Sequence, residues 1–308
     1  MEPFFSIVVP VYNVSKYILA ALNSIKIQTF RNFEAIVIDD GSTDDSNSKI
    51  SEFIKHDERF NLIQIENSGL GVARNVGVKK VSGKYLLFLD SDDLFDEKLL
   101  ENIFKKINSC KLKPDVVVFD IDNFDSDTKK KIGAYVFDKK LEKYSDVAWN
   151  KAYRTEFYKK NKFEYPAIKF EDTPITHIIM ALSENPVKLN FKGYYYRRNR
   201  KGSITSTNRS EEFKLRCISL TEFYRNVQKY DVRLKQNGKK TFVESKLIKA
   251  IIYLLIENQD INRKDEDVKK VCYLLKKMHP LKNAILIKSI KEFIGSIFVF
   301  IKFKDVFK

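Results

Sequence analysis

Tyr85-Leu86-Leu87-Phe88-Leu89-Asp90-Ser91-Asp92-Asp93 joins an unbroken apolar run to a dense acidic cluster. A short run with no polar alternation reads as a strand buried on both faces. The same arrangement occurs earlier, where Ala35-Ile36-Val37-Ile38 ends in Asp39-Asp40. Carboxylates crowded at strand ends repel one another, so they call for a cation or for hydrogen-bond donors. Two such ends suggest a site for a divalent metal and a nucleotide. An Asp-x-Asp suits a hard ion because its oxygens can bind the metal while a diphosphate supplies further oxygens. Alternation places Asp90 and Asp92 on the same side of an extended segment. Taken alone the triplet is ambiguous, since Asp92 or Asp93 can equally cap a helix beginning near Asp96.

Outward from this stretch, strand and helix alternate. Ser6-Ile7-Val8-Val9-Pro10-Val11 predicts a short buried strand, and Ile18, Leu19, Leu22 and Ile25 recur at helical spacing within 15–28. Residues 34–38 predict a second strand, Asp40-Gly41-Ser42-Thr43-Asp44-Asp45 a turn capping a helix near 45–56, and Phe60 to Ile65 a third strand. Gly69-Leu70-Gly71 opens a helix to about residue 81, which Gly83 breaks. The expected fold is α/β: a mostly parallel sheet flanked by helices, Rossmann-like in its nucleotide-binding half, with ligands at the carboxyl ends of the strands. Val116-Val117-Val118-Phe119 adds a strand, 122–146 reads as an irregular or hairpin excursion, and 149–205 mixes aromatic and charged residues around Phe170-Glu171-Asp172. A helical region follows, with helices over 210–230, 241–258 and 266–278.

The chain has 308 residues, 44% of them hydrophobic, enough for one large domain with an appendage. Cys110, Cys217 and Cys272 form no CxxC pair, and His56, His177 and His279 are as scattered. That argues against a zinc site or a disulfide scaffold and favours a reducing compartment. The N-terminus lacks the basic start and long apolar stretch of a secretory signal, so a cytoplasmic location is expected. The net charge of +15 is uneven: residues 1–200 carry 32 Lys/Arg against 29 Asp/Glu, and residues 201–308 carry 24 against 12. A basic tail on a near-neutral body points to an anionic surface, a membrane or a polyanion. In 284–301, Leu286, Ile290, Phe293, Ile294, Ile297 and Ile301 share one helical face. The uncharged run from Phe293 to Ile301 is shorter than the ~20 residues that span a bilayer, so this segment either lies in the interface, peripheral to the inner face of the membrane, or packs on the body.

Four consecutive strand ends carry polar residues in order: Pro10-Val11-Tyr12-Asn13, Asp39-Asp40-Gly41-Ser42, Gly69-Leu70-Gly71-Val72-Ala73-Arg74-Asn75-Val76-Gly77, and Phe88-Leu89-Asp90-Ser91-Asp92-Asp93. This ordered set resembles the family 2 inverting glycosyltransferases of the GT-A fold, of the kind that build bacterial cell-surface glycans. The resemblance covers roughly residues 4–205 and is far more specific than any one motif. It implies a GT-A domain over 1–205, with a nucleotide-binding part to about 120 and an acceptor part over 121–205, followed by a basic helical region over 206–308. It also implies a UDP-sugar donor, Mn²⁺ or Mg²⁺, and a glycan, lipid-linked or protein-linked acceptor.

By that resemblance Pro10, Tyr12 and Asn13 line the nucleotide pocket, Asp40 accepts a hydrogen bond from the uracil, and Asp39 is structural. Arg74 corresponds to the family's nucleotide-contacting arginine, Asp90 to a ribose or diphosphate neighbour that also serves the metal, and Asp92 to the metal ligand. An ion pair between Arg74 and one of these aspartates is the plainer alternative. Glu171-Asp172 precedes Thr173-Pro174, a pattern that opens a helix, where an Asp is most often an N-cap. The family's motif makes Asp172 the base that takes the acceptor hydroxyl's proton, with Glu171 beside it. Tyr194-Tyr195-Tyr196-Arg197-Arg198-Asn199-Arg200-Lys201-Gly202-Ser203-Ile204 resembles the segment that closes over the diphosphate. Arg197 is the first choice among its three arginines, and Ser203 supplies the hydroxyl. Trp149-Asn150-Lys151 resembles a position near the acceptor, although a buried core tryptophan is the commoner outcome.

Other classes fit less well. A nucleotidyltransferase also uses paired acids and a metal, but no Gly-rich, Lys- or Arg-bearing loop follows the first strand. A dinucleotide dehydrogenase would need G-x-G-x-x-G there. A polyanion- or membrane-binding protein would use the basic tail yet has no use for acids at 39–40, 90–93 and 171–172, which also argue against nucleic acid.

Overall fold

The computed structural model describes residues 2–137, 144–200, 209–258 and 265–278. Ser203 and the amphipathic segment 284–301 lie outside them. The chain divides into two compact units, one of residues 1–167 with 183–202, the other of 168–182 with 203–308. Residues 168–182 thus group with the later helices rather than with the contiguous 1–205 domain expected from the sequence.

The first unit is built on a nine-stranded sheet. β1 (Phe5–Val11), β2 (Phe33–Asp40), β3 (Phe60–Ile65) and β4 (Tyr85–Phe88) are mutually parallel in the order β3-β2-β1-β4. They alternate with α1 (Ile18–Lys26), α2 (Ser46–Ile54) and α3 (Leu70–Lys80). Every residue of β1 is buried, so both faces of the sheet's centre are covered and a continuous Val/Ile run is required there. β4 stops pairing at Val8↔Phe88, while β1 runs on beside β2 to Val11↔Asp39. Pro10, with no N–H to donate, sits in this one-sided stretch, where its missing hydrogen bond costs least.

Beyond β4 the sheet becomes mixed. The two-residue β5 (Leu94–Phe95) leads to α4 (Leu99–Ser109), then β6 (Val116–Asp125) turns through a hairpin into β7 (Lys131–Tyr135). β8 (Lys151–Arg154) runs antiparallel between β4 and β6 and continues into α5 (Thr155–Lys160). The α/β architecture is as expected, and 122–146 contains the hairpin. The expected helix near Asp96 starts later, at Leu99, because Leu94 and Phe95 instead pair with a later strand, β9 (Val187–Arg198).

The second unit is helical in its described residues. It comprises α6 (Thr173–Leu182), then, after β9 (Val187–Arg198) of the first unit, α7 (Arg209–Lys229), α8 (Asp231–Gln236), α9 (Lys240–Glu257) and α10 (Glu266–Lys277). α7 buries Phe213, Cys217, Leu220, Phe223 and Val227, one helical stripe, against α6, α9 and α10. No helix among the described residues is long and apolar enough to cross a membrane.

Candidate active site

The loops after β1 and β2 are knitted together by side chains. Asn13 takes a left-handed conformation (φ 50°), its Oδ1 accepting from the backbone N–H of Thr43 (2.8 Å) and Asp44 (3.3 Å). In return, Ser42 Oγ accepts from Asn13 N, Ser46 Oγ from Val14 N and Asp44 Oδ2 from Ser15 N (3.0 Å). Burial pushes Asp44 up, but its hydrogen bonds with Ser46 and Ser15 outweigh this and hold it at about 2. Asp39 is committed to the turn, accepting from Ser42 N (3.0 Å) and Asn47 Nδ2 (2.7 Å). Asp40 reaches the third loop instead: its two oxygens accept from Ser68 N and Gly69 N, both at 2.8 Å. Tyr12, 48% exposed, stands at the end of β1.

α3 is seated by glycines. A Cβ on Gly71 would lie 2.2 Å from the Pro166 carbonyl oxygen, and one on Gly77 would lie 2.4 Å from Val8 Cγ1. This close approach delivers Arg74, fully buried, with its guanidinium near the rings of Phe88 and Tyr165. A buried cation needs a hydrogen-bonded anion. Arg74 donates from Nη2 to Asp90 Oδ1 at 2.7 Å, the ion pair weighed above as the alternative.

The acidic turn after β4 is held by β9. Tyr194 is completely buried, and its hydroxyl accepts from Asp90 N (3.2 Å) while donating to Asp93 Oδ2 (2.8 Å). Asp93 Oδ1 accepts from Arg197 N (2.7 Å). Burial, with Asp92 and Asp90 nearby, pushes the Asp93 carboxyl well above the usual range. Trp149 stacks on Tyr194 (4.1 Å between centroids) and Tyr196 (5.2 Å), buried behind the turn, so it is a core tryptophan. Its loop is fixed by buried Lys151, whose Nζ donates to Ser145 O, Val147 O and Asn150 Oδ1.

Asp92 is raised by burial and by Asp90, with Arg200 opposing. Arg200 Nε lies 2.7 Å from Asp92 Oδ2, an ionic contact without an aligned hydrogen bond. Arg197 is placed otherwise. It is buried, donates from Nε to the Asp92 backbone carbonyl, and is sandwiched between the rings of Tyr17 (4.7 Å) and Phe124 (4.6 Å). Of the three arginines, Arg200 is therefore the one paired with a carboxylate of the acidic turn, and Arg197 braces it.

Glu171 and Asp172 belong to the second unit. Glu171 is buried and Asp172 half-buried. The Asp172 carbonyl accepts from Ile175 N (3.2 Å) and Thr176 N (2.9 Å), opening α6. The segment is moored to α7. Phe170, left-handed at φ 58°, accepts from Ser219 Oγ (2.8 Å) and lies under the Arg216 guanidinium, and Asn226 Nδ2 donates to Pro174 O (3.2 Å).

Residues 6–188 match the family model described as glycosyl transferase family 2. The chain belongs to that family. It is 33% identical over 220 residues to glycosyltransferase GlyA of Streptococcus pneumoniae serotype 4, a match spanning 65% of this chain and 31% of that one. With glycosyltransferase GlyG of the same organism it shares 35% identity over 126 residues, 41% of either chain. The chain therefore spans well under two thirds of the length of these relatives. Among solved structures, Staphylococcus aureus TarS 1-349 superposes with a TM-score of 0.69 at 21% identity, covering 100% of this chain and 89% of that one. The same protein with UDP-GlcNAc gives 0.63 at 20% identity, covering 100% and 90%. At that identity the likeness shows the fold, which is GT-A-like as expected.

The family's metal can be tested against the residues present. No group of three or more His, Cys, Asp or Glu side chains among the described residues could hold an ion unaided. Asp90 and Asp92 nonetheless offer hard oxygens, and magnesium-like ions are commonly held by one or two carboxylates plus substrate phosphates. The pair fits a cation whose remaining ligands come with a diphosphate. Sequence reasoning gave Asp93 only a helix-capping role and gave Tyr194 no part in bracing the turn. Their available signal was the period-2 spacing of Tyr194 and Tyr196, which puts both rings on one face of a strand.

Proposed function

We propose that the chain is a glycosyltransferase that moves a sugar from a UDP-sugar to a hydroxyl of a glycan, lipid-linked or protein-linked acceptor, inverting the anomeric centre with the help of Mn²⁺ or Mg²⁺. The observation that carries this reading is the acidic turn at the end of β4, braced by Tyr194 and Arg197, with Arg74 on Asp90 and Arg200 on Asp92. Family membership and the UDP-GlcNAc complex of TarS support the donor class.

In this reading Tyr12 and Asn13 border the nucleotide, with Pro10 ending the strand beneath them and Asp40 fixing the adjoining loop. Asp90 and Asp92 would hold the cation, which neutralises charge on the diphosphate. Asp172, with Glu171 beside it, takes the acceptor hydroxyl's proton as the oxygen bonds to the anomeric carbon. The bond from that carbon to the diphosphate oxygen breaks, and UDP leaves with the electron pair. Arg200 lends positive charge to the leaving group, and the Ser203 hydroxyl would donate a hydrogen bond to it. Residues 1–120 supply the nucleotide half and 121–205 the acceptor side. The excess of basic residues after 200 suits a peripheral position at an anionic inner membrane face.

The experiment is a panel of UDP-sugars assayed for slow hydrolysis and transfer, with and without Mn²⁺. One sugar should turn over in a chelator-sensitive way, and Asp172→Asn should lose transfer by at least a hundredfold with UDP affinity nearly intact. Transfer surviving in Asp172→Asn would refute the assignment of the base.

A further inference from the structure

Each carboxylate of Asp90-Ser91-Asp92 has its own arginine, and the two pairs are built differently. Arg74 reaches Asp90 from the interior of α3, its side chain 1% exposed, through an aligned hydrogen bond of 2.7 Å. Arg200 lies beyond the end of β9, in no helix or strand, and its side chain is 15% exposed against 19% for Asp92. Its contact is the same length but lacks hydrogen-bond alignment, and its guanidinium is 5.7 Å from the Tyr17 ring. One pair is enclosed and hydrogen-bonded, the other more exposed and unaligned.

We infer that Arg200 stands in for the divalent cation at Asp92, so that the ion binds there only as the guanidinium leaves, drawn off by the donor's diphosphate. This rests on the metal reading of Asp90 and Asp92 given above. At Asp92 an incoming ion meets both the competing Arg200 contact on Oδ2 and direct repulsion, whereas Arg74 engages Asp90 through Oδ1 alone. An anionic diphosphate offers Arg200 a stronger, bidentate partner. Nucleotide and cation then favour one another, and by linkage each tightens the other by the same factor. Arg200 is thus a positioning residue that orders donor before metal and keeps the free protein from holding an ion.

The test measures Mn²⁺ binding to the full chain by loss of the free-ion electron paramagnetic resonance signal, with and without UDP. Without nucleotide, Arg200→Gln should bind Mn²⁺ about tenfold more tightly than the unmodified protein, because no guanidinium competes for Asp92. Arg200→Lys, which keeps the charge, should gain much less. Adding Asp92→Asn to Arg200→Gln should abolish the gain. Arg198→Ala, whose guanidinium lies over Tyr196, should leave Mn²⁺ binding unchanged. Thermal midpoints close to that of the unmodified protein identify variants that have folded. Equal Mn²⁺ affinity of Arg200→Gln and the unmodified protein without UDP, alongside normal binding with UDP, overturns the inference alone. Failure of the unmodified protein to bind Mn²⁺ even with UDP overturns the metal reading itself.

Discussion

Tyr194→Phe removes one oxygen atom from the interior of the first unit and should unfasten the acidic turn. The hydroxyl has two partners, Asp90 N and Asp93 Oδ2, and the side chain has no exposure to water. Each buried polar group left without a partner costs about 1–3 kcal/mol. The carboxylate can relieve part of its share by taking a proton, so the expected total is about 3 kcal/mol. For a unit of roughly 150–250 residues that lowers Tm by roughly 6–12 °C, readable by circular dichroism. The pH dependence carries a sign. Asp93 is raised in the folded protein by burial and by Asp92 and Asp90, and its bond with Tyr194 opposes that rise. Removing the bond raises the folded pKa further. A carboxyl that binds protons more tightly folded than unfolded loses stability as pH rises above its unfolded value of about 4. The deficit of Tyr194→Phe should therefore grow, and never shrink, as pH is raised above about 4. Trp149 stacks on the same ring, so its fluorescence should be nearly unchanged, which separates loss of the hydroxyl from loss of packing. A cost below about 0.5 kcal/mol, or a deficit that grows on acidification, would refute the clamp.

Two further variants examine how the strand-end loops are mounted. Asp44 is held at about 2 by hydrogen bonds with Ser46 and Ser15 that outweigh burial, so its contribution to stability is present above pH ~4 and fades as pH falls towards 2. Asp44→Asn should cost about 1 kcal/mol at neutral pH, discounted for solvent screening, and should flatten acid unfolding between pH 4 and 2; an unchanged acid limb in urea titrations would count against the staple. Gly71→Ala should be more severe, because the Cβ meets a backbone oxygen at 2.2 Å. Overpacking of this kind costs about 1–3 kcal/mol, and weaker UDP binding should accompany it as α3 shifts Arg74, whereas full UDP affinity measured by calorimetry would mean that the helix seat is independent of the site.

The first half of the fold was legible because its strands obey one simple rule. β1, β2 and β4 lie in the sheet's centre with both faces covered, so they are written as plain apolar runs, and their ends show as abrupt changes to acids. β9 obeys no such rule. Val187 to Arg198 is half polar and ends in a run of tyrosines and arginines, because the strand pairs with both β6 and the two-residue β5 and must also carry the groups that hold the acidic turn. That duty hides the strand and misplaces the arginine. Arg197 is in register with Phe124 and lies against its ring, whereas Arg200 has run past the strand and is available to Asp92.

The grouping of residues 168–182 with the C-terminal helices has a similar physical origin. In α6, Pro174, Ile175, Thr176, Ile178, Ile179, Met180, Ala181 and Leu182 are all buried, and only Thr173 and His177, one turn apart, are half-buried. A helix that buries all but one narrow strip of its surface cannot end a domain; it has to be covered by further elements. α7 supplies that cover, and the same helix fixes Phe170 through Ser219 and Pro174 through Asn226, on either side of Glu171 and Asp172. The sequence reading treats the acidic pair as part of the acceptor portion of a domain ending near 205 and the helices after it as a separate region. The hydrogen bonds reverse that dependence: the backbone that presents the proposed base is anchored by side chains from a helix that lies wholly outside the family match at 6–188. Sequence change along α7 is therefore expected to shift the Glu171-Asp172 backbone without touching any residue of the acidic turn.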